Sequence, residues 1–384
     1  MRLEEGIKTI EEDAFKDCSS LRRVVLPSTL KALARDALDE SVDLVVDDAQ
    51  PQDGAFGGSD SLKSDASPKT TDDASQYLRW EITERGARII GCDEEFEGAM
   101  EIPSRLDGAA VVEIGKEAFS GRHSLTSVAI PDSVEVVGEA AFASCRGLEE
   151  LRLGTGIKTI EKEAFAKCVS LQSVVIPGSV EVVGMGAFQK CSGLQELRLG
   201  TGIKKIEDNA FYSCSSLESV EVPDSVEVVG EEAFYWCDGL KELRLGRGIK
   251  EIEGCAFLGC SSLKSVEIPG TVESVGEYAF NDCSELEELR LGAGIKKIGD
   301  SAFWGCSSLK SVEIPGTVES VGWWAFSHCS KLEELQLGAG IKTIETGAFR
   351  ECSSLRRVVL PPSLEELARD AFDESVDLVF DDER

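Results

Sequence analysis

Apolar residues recur along this chain with a period of 23 residues. An Ala-Phe pair marks each period, and its Phe stands at Phe119, Phe142, Phe165, Phe188, Phe211, Phe234, Phe257, Phe280, Phe303, Phe326, Phe349 and Phe372. Between these pairs, apolar positions follow the order L-x-x-L/V-x-L/I, a Gly or Pro turn, I/V-x-x-I/V and A-F-x-x-C. A period this short indicates a unit that buries its apolar face only by stacking on its neighbours. The sequence therefore predicts a repeat solenoid.

Each unit contains the elements of one turn of such a solenoid. The Leu-x-Leu portion, such as Leu289 and Leu291, alternates apolar and polar residues and predicts a short strand. The second apolar pair, such as Ile295 and Ile298, predicts a short extended segment on the opposite wall. The Ala-Phe-x-x-Cys portion predicts a single helical or 3₁₀ turn. We expect a parallel β-sheet on the concave face, with short strands and single helical turns on the convex side.

Two kinds of unit alternate, so the full period is 46 residues. The exposed residue between the second and third apolar positions alternates in charge along Arg198, Glu221, Arg244, Glu267, Arg290 and Glu313. Neighbouring strands lie about 4.8 Å apart, so a uniform column of charge would repel itself. We interpret this face of the sheet as largely self-neutralised.

The motif IPxSVxxVGxxAFxxC resembles the BspA-like leucine-rich repeats, also known from Treponema pallidum-type repeat proteins. The resemblance covers about residues 77–384, with 23-residue units throughout. The segment that begins YLRWEITERGARIIG also resembles the N-terminal cap of that family, a β-hairpin followed by an IPS…DG…AF unit. The resemblance implies a curved leucine-rich repeat solenoid and a role in adhesion or protein binding, often at the cell surface.

Four segments follow from these patterns. Residues 77–110 form the N-terminal cap with its β-hairpin, and residues 111–384 form the repeat array with its C-terminal cap. Residues 2–48 match residues 336–382 at 34 of 47 positions, so 1–48 is a partial repeat segment that copies the C-terminal cap. It is the tail of a longer tandem array, or it docks on another surface. Residues 49–76 are rich in Gly, Ser, Asp and Pro and predict a flexible linker.

Eleven of the 13 Cys occupy one repeat column, three residues after the Phe. They are Cys18, Cys145, Cys168, Cys191, Cys214, Cys237, Cys260, Cys283, Cys306, Cys329 and Cys352. A disulfide framework has varied spacings, so we interpret this column as small buried thiols. Cys92 and Cys255 lie outside the column, and neither has the partners of a zinc site. The sequence predicts no metal and no other cofactor.

Composition and charge exclude several classes of function. The formal net charge of −31 disfavours binding to nucleic acid and to anionic membrane surfaces. No stretch approaches the ~20 apolar residues of a membrane span, and the first residues lack the pattern of a signal peptide. The Cys column fits a reducing compartment, whereas the family resemblance implies the cell surface, so the location stays open. The G-x-G motifs recur as turns, and His123 and His328 lack catalytic partners, so we expect no enzyme.

The variable residues of the array lie beside the repeat Phe. Four of the five Trp and three of the four Tyr occupy these flanking positions, in the units from Phe211 to Phe326. A constant framework with variable aromatic positions is typical of a binding scaffold, because Trp and Tyr dominate binding hot spots. The alternative is that these rings pack down onto the convex wall. The predicted partner-binding residues are Tyr212, Tyr235, Trp236, Tyr278, Trp304, Trp323, Trp324 and His328.

The leading hypothesis is a non-enzymatic scaffold that binds a protein partner through these aromatic positions. The acidic charge favours a basic partner. Two other functions stay open: a structural spacer or surface-coat protein whose repeats set a length, and a carbohydrate-directed adhesin, since aromatic platforms also stack on glycans.

Overall fold

The structure, a computed structural model, describes residues 74–380 and four strands within residues 1–73. The chain divides into two compact parts, Met1–Ala66 and Ser67–Arg384. Most of the predicted linker 49–76 lies outside the described residues; its end enters a 3₁₀ helix at Ala74–Tyr77. The expected segment boundaries stay predictions.

The first part repeats the strand pairing of the C-terminal end of the chain. Its strands are Thr9–Ile10, Arg23–Leu26, Ala32–Leu33 and Asp43–Val46. Thr9 pairs with Ala32 and Arg23 with Asp43, both in parallel. At an offset of 334 residues, Thr343 pairs with Glu366 and Arg357 with Asp377 in the same sense. The two copies of the sequence therefore share one strand register.

The larger part is a solenoid with two parallel sheets. The first sheet has 11 strands, one for each Leu-x-Leu portion: Gly98–Glu101, Leu125–Ala129, Glu150–Arg152, Ser173–Val175, Glu196–Arg198, Ser219–Glu221, Glu242–Arg244, Ser265–Ile268, Glu288–Leu291, Ser311–Ile314 and Glu334–Leu337. Successive strands pair in steps of 23 residues, as Val220 does with Leu243. The predicted repeat solenoid is confirmed.

The second sheet has 15 strands and runs along the opposite wall. Its strands are Leu78–Ile82, Ala87–Cys92, Arg105–Leu106, Ala109–Ile114, Val136–Val137, Thr159–Ile160, Val182–Val183, Lys205–Ile206, Val228–Val229, Glu251–Ile252, Ser274–Val275, Lys297–Ile298, Ser320–Val321, Thr343–Ile344 and Glu366–Leu367. The antiparallel hairpin of Leu78–Ile82 and Ala87–Cys92 forms the N-terminal edge of this sheet. At the other end, Arg357–Leu360 pairs with Asp377–Phe380.

A third wall, the turn wall, consists of the segments around each repeat Phe. Its single turns close through bonds between residues i and i+3, such as Tyr212 N–H to Asn209 O at 3.0 Å. Residues two before and two after the Phe have left-handed φ, as Asn209 (59°) and Ser213 (57°) do, so no regular helix continues. Left-handed residues alternating with right-handed ones point N–H groups in one direction. Asn209, Phe211 and Ser213 accordingly donate to carbonyls of the next turn at 2.7–2.8 Å.

The core is a stack of Phe rings beside a column of thiols. The Phe257 ring is fully buried and lies parallel to its neighbours, with centroids 5.3 Å from Phe234 and 5.1 Å from Phe280. The column thiols from Cys145 to Cys352 are buried and free, which confirms their predicted role; Cys18 lies outside the described residues. Each of these thiols also donates to the Phe carbonyl of the previous turn, as Cys237 does to Phe211 O at 3.3 Å.

The alternating charges need a correction in position. Glu221 and Arg244 do pair in register, but within residues 74–380 no ion pair joins the charges of this strand column within 4.0 Å. Ion pairs form instead where a Glu/Lys alternation precedes the strands of the second sheet, as in Lys296–Glu273 and Lys342–Glu319, both at 2.8 Å. The longer, flexible Lys reaches across one turn there. Its hydrogen bond lowers the pKa of Glu273 and raises that of Lys296.

Backbone crowding at the G-x-G turns gives a prediction on stability. A Cβ on Gly294 would lie 2.0 Å from the carbonyl oxygen of Gly270 in the previous turn, and no side chain can move to make room. We expect Gly294→Ala to lower the free energy of unfolding by about 1–3 kcal/mol, because backbones must separate. Urea unfolding followed by circular dichroism measures this.

The matched control is Gly270→Ala, where the nearest atom to an added Cβ is Ala293 N at 3.8 Å. This variant should stay within about 1 kcal/mol of the parent. Equal losses of stability in both variants would show that the close approach does not decide the need for Gly294.

Candidate functional site

The left-handed positions of the turn wall carry several of the predicted binding residues. Trp236 (φ 53°), Tyr278 (58°), Trp324 (53°) and His328 (60°) all occupy them. A non-glycine residue in this conformation costs about 1 kcal/mol or more, and bulky residues are rare there. The ladder of hydrogen bonds between turns holds the backbone whichever side chain is present. The wall can therefore vary its side chains while its backbone stays constant.

A first aromatic cluster consists of Tyr212, Tyr235 and Trp236. The two Tyr rings stack with centroids 5.1 Å apart and an interplanar angle of 4°. Trp236 stacks on Tyr235 at 5.7 Å, and Lys190 Nζ lies 5.9 Å from the centre of the Tyr212 ring. The Trp236 indole also covers Gly259, where an added Cβ would come within 2.4 Å of Cδ1. Cation, rings and glycine together form a continuous stack across neighbouring turns.

A second aromatic cluster consists of Trp304, Trp323, Trp324 and His328. Trp304 meets the His328 ring edge-on at 5.0 Å, and Trp323 meets Trp324 edge-on at 6.3 Å. Trp323 Nε1 donates to Glu345 Oε2 in the next turn at 2.9 Å, which fixes its ring. The Trp324 indole covers Gly347, as Trp236 covers Gly259.

Tyr278 joins neither cluster by a ring contact, although it lies on the same wall between them. The turns of Phe234 and Phe303, which carry Trp236 and Trp304, are three steps apart. At roughly 5 Å per step, the two clusters are separated by about 15 Å along the solenoid. The structure thus divides the eight predicted residues into two surfaces and one isolated Tyr.

Exposure separates the rings that pack down from those that stand out. Tyr212, Tyr235 and Trp304 are half-buried. Trp236 is 53% exposed, Trp323 51%, Trp324 43% and Tyr278 41%. The alternative of rings lying wholly on the wall therefore does not describe these last four. Each keeps large apolar area in water, which a folded chain gains by burying.

Carboxylates surround the first cluster. Partial burial raises the pKa of Glu232, and the charges of Glu231 and Asp208 raise it further. Burial also raises the pKa of the Tyr235 phenol, with a contribution from Glu232. Near the second cluster, burial raises the pKa of Asp282, while His328 opposes the shift. The surroundings of the first cluster are therefore strongly acidic.

Polar residues next to the second cluster were not predicted from the sequence. A cleft of about 270 Å³ is lined by Trp304, Trp324, Ser327, His328, Arg350 and Glu351. Ser327 and Arg350 directly follow a repeat Phe, and Glu351 has a left-handed φ of 61°. They stand in the same variable columns as the rings, so a search of those columns for any deviating residue, not only aromatics, would have found them.

The first sheet carries a second concave surface. A groove of about 770 Å³ lies over its strands and exposes Glu288, Arg290, Glu313, Glu334 and Gln336. These are strand positions of the alternating columns, and the groove contains no exposed aromatic ring. Its mixed charges give it little preference for a ligand of either sign.

Chemistry of other kinds is limited in the part of the chain that the structure describes. Within it, no group of three or more His, Cys, Asp or Glu side chains could hold a metal ion. The described residues also contain no helix that is long and apolar enough to cross a bilayer.

Comparison with known proteins identifies the repeat. The profile of the BspA type leucine-rich repeat region matches residues 1–46, 112–241, 204–303 and 285–379. These matches span most of the chain and both of its compact parts. The chain belongs to this family. Families of leucine-rich repeats act in general as protein-interaction scaffolds. Among curated proteins, none matches this leucine-rich repeat chain.

Several solved bacterial structures are similar to this BspA-type protein. A leucine-rich repeat protein from Bacteroides ovatus is 26% identical, over 81% of this chain and 100% of that one, with a TM-score of 0.49. The pneumococcal vaccine antigen PcpA is 19% identical, over 80% and 93%, with a TM-score of 0.50. The leucine-rich repeat protein of T. pallidum is 30% identical, over 62% and 91%, with a TM-score of 0.38. The similarity to PcpA concerns the fold alone.

Proposed function

We propose that this leucine-rich repeat protein is a non-enzymatic scaffold that binds a protein partner through the two aromatic clusters of its turn wall. The observation that supports this most is the exposure of Trp236, Trp323 and Trp324 on a backbone that hydrogen bonds hold constant. Rings that are already fixed lose little side-chain entropy on binding, which favours them as anchors.

The geometry also suggests how a partner would lie. The clusters are about 15 Å apart along one wall, and Tyr278 is exposed between them. A partner spanning both would cover several turns and bury enough area for a specific complex. The acidic surroundings of the first cluster and the net charge of −31 favour a partner with basic residues opposite Glu231 and Glu232.

A binding experiment tests this proposal. A partner is selected from a displayed peptide library against the wild-type chain, and its dissociation constant is measured by biolayer interferometry. We expect Trp236→Ala or Trp323→Ala to weaken binding by about 30-fold, because hot-spot rings contribute about 2 kcal/mol or more. Changing Tyr235, Trp236, Trp304, Trp323 and Trp324 together to Ala should abolish it.

The control is Val175→Ala, which removes an apolar side chain that is 59% exposed on the first sheet. It should leave the dissociation constant unchanged. Circular dichroism of every variant checks that the solenoid is folded. Undiminished binding by the folded five-residue variant would refute the role of the aromatic clusters.

A further inference from the structure

The cleft beside the second aromatic cluster has features that a flat protein-binding surface does not need. Its volume of about 270 Å³ lies just below the usual range for ligand pockets of roughly 300–1,000 Å³. It therefore suits one small ring rather than an extended molecule. It involves the turns of Phe303, Phe326 and Phe349, so three successive repeats contribute to it.

Two indoles give the cleft its apolar surface. Trp304 is held edge-on against His328 at 5.0 Å. Trp324 has one face over Gly347, and its remaining surface is 43% exposed. The electron-rich face of an indole attracts the weakly positive C–H groups of a flat aliphatic ring. Both rings are in place before any ligand binds.

The polar groups of the cleft are available for a ligand. Ser327 is only 2% exposed, yet within residues 74–380 its hydroxyl has no hydrogen-bond partner. The side chains of Arg350 and Glu351 likewise make no hydrogen bond or ion pair with another described residue. A buried hydroxyl without a partner costs free energy until a ligand or water satisfies it. The cleft thus offers a donor, an acceptor and a group that can act as either.

The charges of the cleft balance, in contrast to the rest of the protein. Arg350 and Glu351 are opposite in sign, whereas the whole chain carries −31. A Lys or Arg side chain of a partner would meet the guanidinium of Arg350, and an anion would meet Glu351. A neutral ligand with several hydroxyl groups avoids both conflicts and can pair with both groups.

We propose that this cleft binds a single neutral sugar residue of a glycan. The C–H face of the pyranose ring would stack on Trp324, and its hydroxyls would pair with Arg350, Glu351 and Ser327. This site is separate from any protein contact of the first aromatic cluster, so it would stand even if no protein partner bound there.

Saturation-transfer difference NMR tests the assignment with the full chain. The probes are methyl glycosides of glucose, galactose, mannose and N-acetylglucosamine at millimolar concentration. We expect transfer to the ring protons of at least one glycoside in the wild type. Trp324→Ala and Glu351→Gln should each weaken its affinity about tenfold or more, because each removes one side of the recognition. Glu351 makes no side-chain contact, so its variant keeps the fold.

The matched control is Trp236→Ala, which removes an exposed indole of the first cluster and should leave the sugar signal unchanged. Three results would overturn the proposal. One is no transfer to any of the four glycosides. Another is equal transfer in the wild type, Trp324→Ala and Glu351→Gln. The third is binding of an oligolysine peptide that depends on Trp324 while no glycoside binds, which would assign the cleft to a protein side chain.

Discussion

Raising the pH from 8 to 10 should unfold the solenoid under reducing conditions. Burial raises the pKa of eight column thiols well above the ordinary value of 9.0: Cys145, Cys168, Cys214, Cys237, Cys260, Cys283, Cys306 and Cys329. In the unfolded chain these thiols ionise near pH 9, but in the folded chain they stay protonated. Their contribution to stability is therefore complete below pH 9 and is lost as the pH rises toward the folded values.

The size of this effect follows from the number of thiols. Each one costs the folded state about 1.4 kcal/mol for every pH unit above 9. Summed over the eight, the loss at pH 10 is on the order of 10 kcal/mol, comparable with the whole stability of a typical domain. The ion pairs do not add to it in this range, because their hydrogen bonds raise the pKa of Lys250 and Lys296 above 10.5.

Urea unfolding at pH 7, 8, 9 and 10, followed by circular dichroism with a reductant present, measures the loss. The control is the double variant Cys237→Ala and Cys260→Ala, which is less stable at every pH but should lose stability less steeply above pH 9. The slope carries the test, since it counts protons rather than contacts. A wild-type urea midpoint at pH 10 equal to that at pH 8 would contradict the prediction.

Phe257→Ala should lower the free energy of unfolding by about 3–5 kcal/mol and split the unfolding into two transitions. Phe257 is fully buried between Phe234 and Phe280, at 5.3 and 5.1 Å. Its loss leaves a cavity at the interface of neighbouring turns. Because each turn of a solenoid contacts only its neighbours, the weakened interface uncouples the turns before it from the turns after it.

Urea unfolding followed by both circular dichroism and tryptophan fluorescence shows this, since Trp304, Trp323 and Trp324 all report on the later turns. The control is Trp236→Ala, which removes a larger ring one turn earlier but from a position 53% exposed. It should change stability by no more than about 1.5 kcal/mol. A single transition in Phe257→Ala, with a midpoint like that of the control, would show that the Phe stack does not couple the turns.

The candidate site was predictable in its position but not in its arrangement. The flanking columns of the repeat Phe could be read from the sequence, because every other column is nearly constant. The division of the eight residues into two clusters could not, since ring contacts depend on the neighbouring turn. Gly259 and Gly347 leave the space that the indoles of Trp236 and Trp324 fill.

The left-handed backbone of the turn wall was also hidden. A left-handed position normally shows itself as Gly, Asn or Asp. Here Trp236, Gly259 and His328 occupy equivalent places, at φ 53°, 74° and 60°. Hydrogen bonds from turn to turn impose the conformation against local preference, so the usual residue signal is missing.

The sequence by itself determined the solenoid, its 23-residue step and its buried Phe and Cys columns. It could do so because stacked turns bury the same position in every repeat, so burial is written as periodicity. Only the tertiary structure decided which charges form ion pairs, which rings meet and where a cleft opens. Those features depend on side-chain reach and on the space left by residues 22 to 26 positions away, and neither is visible along a single repeat.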